Sequence, residues 1–348
     1  MAITRVYCTG FESGDRNTEL IFIDSPHNDT QITTSEKKSG VYGLQLSKED
    51  FVLLNYQFPS LSQARTSVHF NPDTISGPSN SPNIISFMNG TDHVLNLDYD
   101  FNTGDLRIIT GSSTVLASAP FTFNAPQWYH IGIDLKIASS GGWFYTYIDG
   151  VLVVSFDGNT AQDGTYFSDI SLGTTSSISK FNGSYVYYDD FYLDDTTGEA
   201  APSVVPDRRF LYIIPNGNGM YSQFNGSDGN SVDNYLLVDD IPPDGESTYV
   251  YHDTSGIKDA YTLSNPTIPS GANVVALHPQ VIARKEDGGS SVQIEIGLAD
   301  GTNEVYSAGQ NLQTSYGIVQ SHFSTAPDGG AWDSTKVNNV QLAARIFV

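Results

Sequence analysis

The sequence predicts an all-β protein of two tandem β-sandwich domains, and three observations predict it. The first is composition: of 348 residues 32 are Gly, aromatics make up 12% and charged residues only 16%, a profile of short strands joined by many turns. The second is strict alternation of apolar and polar residues in several separate segments, the signature of strands with one buried face. The third is Glu199-Ala-Ala-Pro-Ser-Val-Val-Pro206, whose prolines and small residues read as a linker in a chain long enough for two cores. The expected domains are residues 1–200 and 207–348.

Taken in order, the first strands are separated by Gly, Asn and Pro clusters, as around Asn71 to Pro82. Ser47-Lys-Glu-Asp-Phe51 fits either one capped helical turn or the start of a strand. From Trp128 the pattern sharpens, with Tyr129, Ile131, Ile133, Leu135 and Ile137 on one face and Trp128, His130, Asp134 and Lys136 on the other. Asp149-Gly150 between two β-rich runs supplies the positive-φ pair of a tight hairpin. Tyr185 to Leu193 is the next strong strand; plain alternation puts Val186, Tyr188, Asp190 and Tyr192 on one face and Tyr185, Tyr187, Asp189 and Phe191 on the other. In the second half Val292, Ile294, Ile296 and Leu298 alternate before an Asp300-Gly301 turn. Val340, Leu342, Ala344, Ile346 and Val348 alternate to the last residue, which ties this strand into a sheet or an interface.

The formal charge of -23 repels phosphates, so neither nucleic acid nor an anionic membrane is an expected partner. Cys8 is alone, which leaves no intrachain disulfide. No apolar run approaches the ~20 residues of a membrane helix, and the amino terminus lacks a secretory pattern, so synthesis in a cytoplasm without membrane insertion is expected. The seven histidines show no zinc-binding spacing. The Glu-x-Asp-x-x-Glu run that aims two carboxylates of one strand at a glycosidic bond is missing, as are the nucleophile-elbow and phosphate-loop patterns. No enzymatic activity is therefore expected.

Trp128-Tyr-His-Ile-Gly-Ile-Asp134, Tyr147-Ile-Asp-Gly-Val-Leu-Val153 and Tyr188-Asp-Asp-Phe-Tyr-Leu193 resemble the sandwich strands of the laminin-G and concanavalin A-like jelly roll. The likeness spans residues 1 to about 200, and its motifs speak to fold rather than ligand. Arg209 to Gly219, Tyr235 to Tyr249, Asp259 to Leu263, Trp332 and Val337 to Leu342 resemble a segment that accompanies such sandwiches in tailed-bacteriophage structural proteins.

These resemblances imply a non-enzymatic virion protein on the particle exterior, made in the host cytoplasm, as a capsid decoration or a collar, tail or fibre component. Its partners would be other virion proteins, copies of itself and a host surface glycan. The alternative is a carbohydrate-binding, lectin-like module, and a polysaccharide lyase or hydrolase trails. Rim calcium in the jelly-roll family makes Asp189, Asp190, Asp194 and Asp195 the candidate metal ligands, because Ca²⁺ takes several hard oxygens; an acidic, solvated strand edge that discourages pairing is the favoured reading of the same cluster. Asp239, Asp240 and Asp244 form a second cluster, read as a turn. Tyr188 and Tyr192 are the candidate ligand or partner contacts, since aromatic faces stack on sugars and anchor interfaces.

Overall fold

The computed structural model describes residues 4–21, 30–47, 51–54, 58–73, 81–173 and 185–347. The chain is all-β and divides into two compact units, Met1–Glu12 with Glu19–Phe210 and Ser13–Thr18 with Leu211–Val348. The junction at Phe210 lies just beyond the 199–207 stretch read as a linker.

The first unit is a β-sandwich. Its strands are β1 (Thr4–Thr9), β2 (Leu20–Ile21), β3 (Gln31–Thr33), β4 (Gly43–Ser47), β5 (Phe51–Leu54), β6 (Gln63–Pro72), β7 (Asn83–Asn89) and β8 (Asp92–Asp100). They continue with β9 (Asp105–Thr110), β10 (Val115–Pro120), β11 (Tyr129–Lys136), β12 (Gly142–Ile148), β13 (Val151–Gly158), β14 (Asp169–Gly173) and β15 (Tyr185–Asp195). One sheet runs β13-β12-β11-β6-β15-β4-β3, with β1 on β15, and the other runs β10-β9-β8-β7-β14-β5-β2. The core between them is aliphatic and aromatic: Val68, Phe70, Ile131, Ile133, Phe144, Tyr188 and Phe191 meet Ile85, Phe87, Leu97, Ile108 and Ile170.

The alternation read for β11 holds, with Ile131, Ile133 and Leu135 in the core. The β12–β13 hairpin turns on Asp149 at φ 49 and Gly150 at φ 79, as the Asp-Gly pair predicts. Ser47 closes β4 and Phe51 opens β5, which favours the strand reading there; the residues between lie outside the described ones.

Strand β15 departs from plain alternation. Its pairing with β6 shifts register between Asp189 and Tyr192, and Asp190 sits at φ 52. A short polar side chain tolerates this left-handed backbone, and the bulge reverses which residues face inward. Val186 and Tyr188 point into the core before it, Phe191 and Leu193 after it. The expected grouping of Tyr188 with Asp190 and Tyr192 is therefore corrected: Tyr188 is a core residue and Tyr192 lies on the other face. The bulge also divides the strand's outer edge, since β4 pairs with Tyr185 to Tyr188 and β1 with Phe191 to Asp195.

The second unit is a smaller, less regular sandwich. Its strands are β16 (Pro215–Ser222), β17 (Asn225–Gly226), β18 (Val250–Tyr251), β19 (Lys258–Leu263), β20 (Gln280–Ala283), β21 (Gln293–Ala299), β22 (Glu304–Tyr306), β23 (Gln310–Asn311), β24 (Gly317–Gln320) and β25 (Gln341–Phe347). The main sheet runs β16-β19-β25-β21-β22, with β23 also on β21. Ile294, Ile296, Ala344 and Ile346 pack with Phe224, Leu312 and Val319 and with Val250 and Val281 of the two-stranded ribbons. Trp332, Phe323, Val337 and Val340 close the core beside Leu298. Strand β25 is paired on both sides, by β19 and by β21. The alternating C-terminal segment thus belongs to its own sheet, one of the two placements expected of it.

Candidate functional site

The chemistry-bearing residues of the first unit gather on the non-core face of the β6, β11 and β15 sheet. Strand register lines them up in three rows. Tyr145, Asp134, Arg65, Asp194 and Arg5 are successive cross-strand neighbours, as are Tyr147, Gly132, Ser67, Tyr192 and Cys8. His130, His69 and Asp189 form the third row, with Asp190 beside them on the bulge. Opposite charges facing one another across strands stabilise the pairing.

A sheet face this polar would ordinarily meet water. Here Arg65, Ser67, His69, His130, Asp134, Asp189, Asp190 and Asp194 are all buried. What covers much of the three rows is the chain's own segment 199–210, which we term the strap. Gln63 donates to the Glu199 carbonyl at 3.0 Å, and the Ser203 amide donates to Asp134 at 3.1 Å. Val205, 1% exposed, drops onto Gly132, where a Cβ would sit 2.6 Å from that of Val205. The Tyr192 hydroxyl donates to the Pro206 carbonyl at 2.9 Å, and the Arg208 guanidinium lies 5.0 Å from the centre of the Tyr192 ring. The Phe210 amide donates to Asp190 at 2.8 Å, and the Phe210 carbonyl lies 3.0 Å from the Ser39 hydroxyl, whose proton goes to Asp190 at 2.6 Å. The stretch read as a linker is a packed part of the first unit, because its backbone groups replace water as partners for the sheet's polar side chains.

Two charged groups organise this arrangement. Asp134 accepts from Arg65 at 3.1 and 2.9 Å, from the Trp143 indole at 2.8 Å and from Ser203 at 3.1 Å. His69, 1% exposed, places Nδ1 3.2 Å from Asp190 and Nε2 3.2 Å from Asp207. Burial works against a charged His69, but Asp190 and Asp207 outweigh it and hold the imidazolium above the ordinary histidine range. His69 in turn holds Asp207 far below the usual carboxylate range. The His130 ring lies 5.3 Å from that of His69; burial pushes its pKa down, and the His69 charge adds to this against the pull of Asp207.

The candidate calcium ligands are placed apart. Asp189 accepts from the amides of Lys38, Ser39 and Asp190, and Asp190 accepts from the Ser39 hydroxyl and the Phe210 amide. Burial, with the adjacent Asp190 charge, pushes Asp189 up. Asp194 pairs with Arg5, and Asp195 caps its own turn through the Thr197 amide. Asp189 and Asp194 pair with His69 and Arg65, four residues apart on β6 and so about 13 Å, and the structure does not bring the four carboxylates to one point. Tyr188 is sealed in the core, its hydroxyl donating to the Ile84 carbonyl at 2.8 Å, and Tyr192 is sealed beneath the strap. In the second unit the Thr248 hydroxyl lies between Asp240 and Asp244, 2.8 and 2.9 Å from their carboxylates, in keeping with a turn.

Sequence reading missed Arg65, His69 and Asp207. Arg65 and His69 do share the outward parity of β6 with Ser67, and that was the available signal. Asp207 sits among turn-like residues with no periodicity to mark it.

No protein-family model matches the chain, and no curated protein matches it. Among solved structures it is similar to a protein of unknown function with a galectin-like fold from Bacillus subtilis, at 13% identity and TM-score 0.40, over 55% of this chain and 96% of that one. It is similar also to the cellulose-induced protein Cip1, at 14% identity and TM-score 0.42, over 55% and 97% of the two chains. An alginate lyase of polysaccharide lyase family 7 aligns at 10% identity and TM-score 0.34, over 55% and 92%.

Proposed function

We propose that the protein works by binding and assembly, without turnover. The observation that supports this reading is the strap: the densest set of ionisable side chains in the first unit is spent on one another and on backbone groups of residues 199–210. A general acid or base must reach a substrate atom, and His69, His130, Asp134 and Asp190 are closed off from one while residues 199–210 are seated. Incubation with a panel of acidic and neutral polysaccharides should yield neither reducing ends nor unsaturated products. Product release that disappears on substituting a single His, Tyr or Glu overturns the proposal.

The finer reading is an exterior virion component, supported by the phage-like segments of the second half. Mass spectrometry of purified particles from the source lysate tests it: stoichiometric recovery supports it, and recovery only among free proteins removes it. A lectin-like role is favoured by one surface feature of the second unit. The Tyr249 and Tyr251 rings lie 5.9 Å apart and Tyr251 is 51% exposed, a geometry suited to stacking on a sugar face. Glycan-array binding lost in Tyr251→Ala supports that role.

A further inference from the structure

We propose that residues 199–210 are a displaceable, pH-gated strap, with His69 as the clamp that holds them on the polar sheet face of the first unit. The proposal is independent of what that face or the rest of the protein binds.

His69 sets both ring nitrogens at ion-pair distance from carboxylates, Nδ1 from Asp190 on the sheet and Nε2 from Asp207 on the strap, each at 3.2 Å, with neither contact in hydrogen-bond geometry. Only the imidazolium carries a proton on both nitrogens; the neutral ring offers one N–H and turns a lone pair toward the other carboxylate. Loss of one proton therefore converts one of the two contacts from attraction to repulsion. Asp190 is wholly buried and also receives the Ser39 hydroxyl and the Phe210 amide, whereas Asp207 is 44% exposed. Water can take over Asp207 but not Asp190, so the strap contact is the one that yields.

The surroundings of His69 reinforce this. From β11 it faces His130, whose pKa burial and the His69 charge push down, and from β15 it faces Asp189 and Asp190. From the strap it faces Asp207, itself paired with Arg209 at 3.3 Å. Glu12 stands near Asp190, its carboxyl pushed up to about 7 by burial against the amides of Val41 and Tyr42. Deprotonating His69 leaves a set of carboxylates with no buried cation between them, and Asp189 and Glu12, raised in the same sense, lose protons as pH rises too. Because the folded His69 pKa is raised, the clamp is fully present below the unfolded value and is lost as pH rises through the folded one.

The other attachments do not involve His69. They are the Glu199 and Pro206 carbonyl contacts, the Ser203 amide on Asp134, the Phe210 amide on Asp190, Arg208 over the Tyr192 ring, and Val205 packed with Cys8, Tyr147 and Tyr192. Release would uncover Arg65, Ser67, Asp134, Tyr147 and Tyr192 together, a face with several donors, acceptors and rings.

Hydrogen exchange read by mass spectrometry on the full chain tests the proposal, comparing peptides covering 199–210 with those of β6 and β11 between pH 6 and pH 9 after correction for intrinsic rates. Strap protection should fall with rising pH, by about tenfold for each unit by which the strap raises the His69 pKa, while the sheet stays protected. Asp207→Asn, an exposed strap position that should leave the fold intact, and His69→Gln should both flatten that dependence. Three results overturn the proposal: strap protection constant across the range in the natural chain, an undiminished pH slope in Asp207→Asn, or strap exchange only in step with β6 and β11. Should His69→Gln fail to fold, Asp207→Asn alone decides.

Discussion

Asp134 shows how much one buried carboxylate can hold. It receives Arg65, Trp143 and the Ser203 amide, and both it and Arg65 are buried. Asp134→Ala should cost about 3–5 kcal/mol in a denaturant titration, because it strands the Arg65 charge without a counter-ion. The Lys258–Glu304 pair of the second unit, with both side chains 21% exposed, is partly screened by solvent, so Glu304→Gln should cost less than about 1 kcal/mol. Gly132→Ala should destabilise the first unit by about 1–3 kcal/mol through overpacking against Val205, and restoring stability with Val205→Ala would confirm the contact. Residue types were legible at these positions, but their partners were not: spacing along a strand fixes the face a side chain takes and says nothing of which distant segment lies over that face.

At the scale of the element, long alternating strands read true. Strand β11, the Asp149-Gly150 hairpin and strand β21 each follow from the two-residue side-chain period and from turn chemistry that needs positive φ. Strand β15 reads wrongly in its second half because one bulge residue resets the period, and Asp190 carries no sequence mark that separates it from Asp189. The strap was misread for a related reason: prolines and small residues suit a tether and an irregular packed segment equally. Strand β25 is hydrogen-bonded on both sides, by β19 and by β21. Deleting residues 340–348 should abolish the calorimetric transition of the second unit and leave that of the first in place. Two unchanged transitions would show that the strand is dispensable.

For the whole molecule, charge and topology matter most. With 39 acidic against 16 basic residues, self-repulsion works against the compact state, so added monovalent salt should raise the melting temperature at neutral pH. Limited proteolysis should spare the tied stretch 199–210 at pH 6 and attack it sooner at pH 9, while the isolated first unit, cut after Phe210, keeps its β circular dichroism.

The pairing of β1 with β15, and of β25 with β19 and β21, also sets an order of events during synthesis. A chain emerging from the ribosome produces β1 long before the strand that pairs with it, and β19 and β21 before the strand that joins them. Neither unit can close until its final strand is out, and such long-range pairing is slow. Until then unpaired edges stay open to wrong partners. Nascent chains stalled before residue 185 should be protease-sensitive throughout, and those whose residues up to 210 have left the ribosome while residues 340–348 have not should protect the first unit alone.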